Sequence, residues 1–115
     1  MTTPIVFFDI AGEDVGALKA FYAKVFGWDA DGENKFAVPV ISPLHAAFRE
    51  DPAEVRLYMG VEDVAQVLTD VEASGGTVDA PRFEVPGVVV LGLFRDPAGN
   101  PMGLVEMDGQ VPKVP

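Results

Sequence analysis

The feature that most limits what this chain can fold into is an internal repeat at a constant offset of 49 residues. Glu13-Asp14-Val15 returns as Glu62-Asp63-Val64, Leu18 as Val67, and Gly27 as Gly76. The apolar run Ile5 to Ile10 aligns at the same offset with Glu54 to Met59. Helix starts resemble one another by chance. Agreement of strand, cap, apolar stripe and stop at one offset is the mark of a repeated unit.

Each unit reads as a strand feeding a helix through a short acidic turn. After Asp14, the residues Val15, Leu18, Phe21, Tyr22, Val25 and Phe26 fall at intervals of three and four, which line one face of a helix. Asp14 suits the N-cap and Gly27 the stop. After Asp63, the residues Val64, Val67, Leu68 and Val71 repeat the stripe. Asp63 with Gln66 resembles a capping box, and Gly75-Gly76 ends the helix.

β-type segments follow each helix. In the second unit they are Thr77 to Val85, Val88 to Arg95 and Met102 to Met107, the last two joined by a type I turn at Asp96-Pro97-Ala98-Gly99. In the first unit they are shorter, Phe36 to Ile41 and His45 to Arg49. The expected division is one domain over 1–109, made of modules at about 4–50 and 54–107, with a linker at 50–53 and a frayed tail at 110–115. A module of roughly 50 residues with one helix cannot cover both faces of its sheet. Two side by side form an α+β fold: a curved mixed sheet with helices on one face and a concave pocket, or a dimer interface, on the other.

Composition narrows the partners. The 115 residues suit one domain, and a hydrophobic fraction of 49% supports a real core. The formal charge of −10 disfavours nucleic acid and anionic membrane surfaces. It would draw in a cationic ligand, although solubility is its plainer meaning. With no cysteine, disulfides and thiolate chemistry are excluded. No signal peptide and no membrane-spanning run is visible, so a cytoplasmic location is expected.

Phe8-Asp9-Ile10 with Glu13-Asp14, then Ala20-Phe21-Tyr22 and Val25-Phe26-Gly27-Trp28, resembles the opening of a vicinal oxygen chelate protein, the superfamily of glyoxalase I, extradiol dioxygenases and bleomycin-binding proteins. Gly60-Val61-Glu62-Asp63-Val64, Glu72 to Val78, and Asp96 to Pro101 followed by Gly103-Leu104-Val105-Glu106 continue the resemblance. It spans about residues 5–107 and implies paired βαβββ modules, a homodimer, and a divalent metal on the concave sheet that chelates two substrate oxygens. Such a site needs several His or Glu ligands. The positions that the resemblance assigns to them hold Phe7, Arg56 and Gly103, with only His45 and Glu50 as further candidates. None of the three can coordinate an ion, so no cofactor is expected.

Residues of like parity share a sheet face, so Phe7, Asp9, Arg56 and Tyr58 are the expected ligand-binding set. Arg56 would orient an oxygen, and Phe7 and Tyr58 would form flat walls. The competing reading pairs Asp9 with Arg56 as a structural salt bridge. Three functions follow: a metal-free small-molecule-binding protein, a metal-dependent lyase, isomerase or dioxygenase, or an interaction domain. A metal-free enzyme would need a base, for which Asp9, His45 and Tyr58 are available. Parity turns Glu106 away from Gly103, toward the helices or solvent. His45 reads as a strand-start residue and Trp28 as packing for a module edge.

Overall fold

Asp14 and Asp63 do what their positions require. The Asp14 carboxylate accepts from the Ala17 backbone N–H and starts helix α1 (Val15–Phe26), and that of Asp63 accepts from Gln66 N–H and starts α2 (Val64–Ala73). The Gln66 amide reaches forward to Asp70, not back to the cap, so the box is half made. Gly27, at φ 71°, closes α1 in the left-handed conformation that glycine tolerates. The computed structural model describes residues 7–115.

The second unit forms as expected. β1 (Leu57–Val61), α2, β2 (Thr77–Val85), β3 (Val89–Arg95) and β4 (Pro101–Asp108) make a mixed sheet of order β1-β4-β3-β2. β1 runs parallel to β4, and the other neighbours are antiparallel. The Asp96 turn closes β3 to β4 through Gly99 N–H to Asp96 C=O at 2.9 Å. β1 begins three residues later than the aligned run, because its ladder starts where Leu57 meets Met102.

Helix-facing and outward-facing residues alternate across the sheet. Leu57, Met102 and Phe94 occupy one row, with Leu104 in the next, and Leu18, Phe21 and Tyr22 of α1 and Val64, Leu68 and Val71 of α2 pack on them as one core. Gly92 lets α2 approach: a Cβ there would stand 2.6 Å from Val64 Cγ1. Both helices therefore cover the same face.

The first unit departs from expectation. Phe36–Ile41 and His45–Arg49 join no ladder. Pro39 interrupts the first segment with a residue that has no N–H to donate. Asp31 instead organises the approach to it, its carboxylate accepting from the backbone of Glu33 and Lys35. Of the first expected strand, Ile5 and Val6 lie outside the described residues, and residues 7–10 are not in a ladder. The tail is not frayed. Val111–Pro112 form β5 on Met107 and Asp108, and Gly87 N–H donates to the Pro115 carbonyl. Gly109, at φ 65°, supplies the reversal that brings the tail back.

Candidate functional site

The face turned away from the helices is built by pairing. Tyr58 of β1 lies beside Gly103 of β4, which lies beside Leu93 of β3; the next row is Gly60, Val105 and Leu91. Gly103 shapes this surface. A Cβ there would meet the Tyr58 ring carbons at 2.4 and 2.5 Å, so the ring lies directly over the glycine backbone. Met107 crosses Gly60 in the same way, its Cγ 2.8 Å from where a Cβ would stand. Tyr58 remains 45% exposed.

Arg56 lies one pleat from Tyr58. Its side chain is only 8% exposed, with Nη1 donating to the Met102 carbonyl at 2.6 Å and Nε donating to Glu54 at 3.2 Å. Glu54 also holds Arg49, which binds Asp51 at 2.8 Å. Hydrogen bonds from Arg56 and then Arg49 keep the Glu54 carboxyl below its ordinary pKa. The salt bridge of Arg56 is thus to Glu54, two residues away, and among the described residues none joins it to Asp9.

The other two expected residues stand elsewhere. Asp9 borders a crevice of about 200 Å³ walled by Phe8, Ile10, Leu57 and Met102, whose sheet side belongs to the helix-packed face. Phe7 is 66% exposed, with the Lys35 ammonium 5.7 Å from its ring centre. Arg56 and Tyr58 therefore share the open face, and Asp9 lies apart from them on the crevice of the helix-packed side.

Two buried carboxylates connect the elements. Glu106 is 4% exposed on the helix side of the sheet, as its parity requires. Arg82 donates to both its oxygens, at 2.9 and 2.8 Å; Val64 N–H at the start of α2 and the Lys113 ammonium complete the set. The Arg82 guanidinium, with these further donors, holds its pKa down at about 2. Asp96 is 3% exposed and accepts from Ala98 N–H, Asn100 N–H, the Asn100 amide and the Tyr22 hydroxyl. The second Asn100 amide bond, to Ala11 C=O at 2.7 Å, ties the chain before α1 to the hairpin. Sequence reasoning left both anchors unassigned, although the alternation of β4 points Glu106 at the α2 cap.

The residues do not fit a divalent metal at the expected positions. A phenyl ring stands at Phe7, a paired guanidinium at Arg56, and the Tyr58 ring fills the space over Gly103. Among the described residues no three His, Asp or Glu side chains converge. His45 and Glu50 lie exposed in the irregular segment. No helix among them is long and apolar enough to cross a membrane.

Comparison with known proteins agrees with this architecture. Residues 5–105 match the family model described as a glyoxalase-like domain. CFP32 of Mycobacterium tuberculosis, which carries a glyoxylase name, is 30% identical over 111 residues, covering 84% of this chain and 42% of the relative. The anthracycline biosynthesis protein DnrV of Streptomyces peucetius is 28% identical over 117 residues, covering 80% and 42%. The chain thus spans less than half the length of these curated relatives. A glyoxalase-related enzyme from Fulvimarina pelagi superposes with a TM-score of 0.67 at 19% identity, covering 92% of this chain and 89% of that one.

Proposed function

The chain belongs to the glyoxalase-like family of the vicinal oxygen chelate superfamily, and from that membership we propose that it binds a small molecule on the open face of its sheet without the family's metal. One observation carries the reading: Tyr58 lies over Gly103, at the position where the resemblance expects a metal-binding carboxylate. A side chain laid across that position leaves a stacking surface and no coordination site. Arg56, held by Glu54 and the Met102 carbonyl, braces the end of that face without presenting a free charge.

The first half supplies the second module in this reading. Its apolar residues Val40, Ile41, Leu44 and Phe48 are exposed. A second copy of the chain covers them in a homodimer, and the protein works in the cytoplasm. DnrV, named for anthracycline biosynthesis, is a relative whose name fits a role in handling a small organic compound.

Native mass spectrometry of the purified protein tests the proposal. The expected result is a dimer with no divalent ion after dialysis, and a small organic adduct or a free site. A stoichiometric divalent ion retained through dialysis overturns it in favour of a metal-dependent lyase, isomerase or dioxygenase.

A further inference from the structure

Of the two buried carboxylates among the described residues, only one has a counter-charge. Glu106 is met by Arg82 and Lys113. Asp96, 3% exposed, accepts from Ala98 N–H, Asn100 N–H, the Asn100 amide and the Tyr22 hydroxyl, all of them neutral donors. Among the described residues no Lys, Arg or His pairs with it. Its neighbour Arg95 turns instead to Asp79 and to the Gly99 carbonyl. A negative charge held away from water without a cation attracts any positive charge that can reach it, and does so more strongly than in solvent.

A route to it runs through two stacked rings. The Tyr22 ring, 4% exposed, lies on the indole of Trp28 with ring centres 5.4 Å apart and planes 12° from parallel. Trp28 is the single tryptophan and is only half-buried, so solution species reach it. The other rings that meet Tyr22, those of Phe21 and Phe26, are phenyls, which give up an electron far less readily than an indole or a phenol. Stacking brings two π-systems into contact, and electron tunnelling falls off exponentially with distance.

We infer that Trp28, Tyr22 and Asp96 form an oxidation relay, in which a one-electron oxidant in solution takes an electron from the Trp28 indole and the vacancy moves inward to rest on Tyr22 as a neutral phenoxyl radical. The oxidant gains one electron and leaves the indole as a radical cation. One electron then passes from the Tyr22 ring to the indole and restores it. The phenolic O–H bond breaks as its proton crosses the 3.1 Å hydrogen bond to Asp96 Oδ2. The products are a phenoxyl radical and a neutral carboxylic acid, which returns the hydrogen bond to the phenoxyl oxygen. If the indole first loses its ring proton to water, it takes one back on reduction. Burial, and after it the Asp96 charge, keep the phenol protonated before oxidation, so electron and proton leave it together. An oxidised phenol is a far stronger acid than a carboxylic acid, which makes Asp96 a sufficient base. The transfer also removes a buried charge that lacks a cation, and this favours the inward direction. An indole radical near the surface couples to other chains, whereas a phenoxyl radical inside the core is shielded from them.

Pulse radiolysis with the azidyl radical, which oxidises indole and becomes azide, tests the relay. Y58F leaves Tyr22 as the only phenol, since the chain has two tyrosines. In that variant the green absorption of the indole radical should decay as the violet phenoxyl band rises, at a rate independent of protein concentration and slower in deuterated water. Adding Y22F should abolish the violet band and lengthen the life of the indole radical several-fold, with an unchanged circular dichroism spectrum. Adding W28F to Y58F should give little violet band, because Tyr22 is out of reach of the oxidant. No indole radical, a violet rise that scales with protein concentration, a rise indifferent to deuteration, or an indole lifetime unmoved by Y22F overturns the relay. Should Y22F fail to fold, the concentration and isotope measurements on Y58F decide alone.

Discussion

The Tyr22 hydroxyl donates to Asp96 Oδ2 at 3.1 Å, joining the middle of α1 to the β3–β4 turn across 74 positions of sequence. The bond is buried, and Asp96 has three further donors in Ala98, Asn100 N–H and the Asn100 amide. Burial, and after it the Asp96 charge and hydrogen bond, push the phenol above its ordinary pKa. Through Asn100 the same carboxylate is linked to the Ala11 carbonyl. This anchor fixes the first half of the chain to the sheet.

Removing either end of that bond should have unequal effects. Y22F removes one of the four donors and should cost about 0.5–1.5 kcal/mol. D96N replaces an acceptor-only group with one that carries two donors of its own, which oppose the N–H groups around it. It should cost about 2–4 kcal/mol. Urea denaturation of the two variants checks the order, and equal losses would refute the hub role of Asp96.

Acid should weaken the fold through Glu106. Its folded pKa, about 2, lies below the ordinary 4.5, so the unfolded chain binds its proton more readily. The stability it contributes is therefore complete above pH 4.5 and is lost as the pH falls toward 2. E106Q should lower stability at pH 7 by about 1–3 kcal/mol, through loss of its charged bonds with Arg82 and Lys113. It should also flatten the decline over that acid range, which melting temperatures measured from pH 7 to pH 2 would reveal.

The two outward and inward glycines should respond differently to one added methyl. G92A places a Cβ 2.6 Å from Val64 Cγ1 and 3.0 Å from Leu68 Cδ1, inside the core. The expected cost is about 1–3 kcal/mol from overpacking. G103A meets first the half-exposed Tyr58 ring, which can swing into solvent, and should leave the melting temperature within a few degrees, roughly the effect of 1 kcal/mol or less. A larger loss from G103A than from G92A would contradict the assignment of faces.

Arg56 should act on Glu54 and on the end of β4 together. R56L deprives the Glu54 carboxyl of its main charged donor, so its pKa should rise toward the ordinary carboxylate value in an NMR titration. It also leaves the Met102 carbonyl without its 2.6 Å donor, at a cost of about 1–3 kcal/mol. An unchanged Glu54 titration would show that Arg49 alone holds it.

How far the sequence foretold this depends on whether each contact is local. The caps at Asp14 and Asp63, the stop at Gly27 and the Asp96 turn lie within four residues of their partners, and all were readable. The second-unit strands followed from β-type runs bounded by glycine and proline, and the alternation along β4 turned Glu106 away from Gly103 but left open whether it met the helices or solvent. Glu54 as the partner of Arg56 is equally local, but a buried arginine opposite an aspartate invited the longer pairing. Tyr22 with Asp96, and Arg82 with Glu106, join residues that only the folded sheet brings together. In the first unit, Phe36–Ile41 has strand composition with Pro39 at its centre, and composition alone does not say whether a ladder survives that interruption. That Tyr58 lies flat was not legible, because it follows from the register of β1 on β4, which sets Gly103 beneath it.

Trp28, the single tryptophan, stacks on Tyr22 at 5.4 Å between ring centres and on Phe36 at 5.9 Å. It follows α1 directly, with no strand of the sheet beside it in sequence. Its emission therefore reads out whether the leading half of the molecule is seated, while far-ultraviolet ellipticity follows the sheet and helices together. Should the two signals part company during denaturation, the halves come undone in separate steps; if they superimpose, the repeat melts as one body.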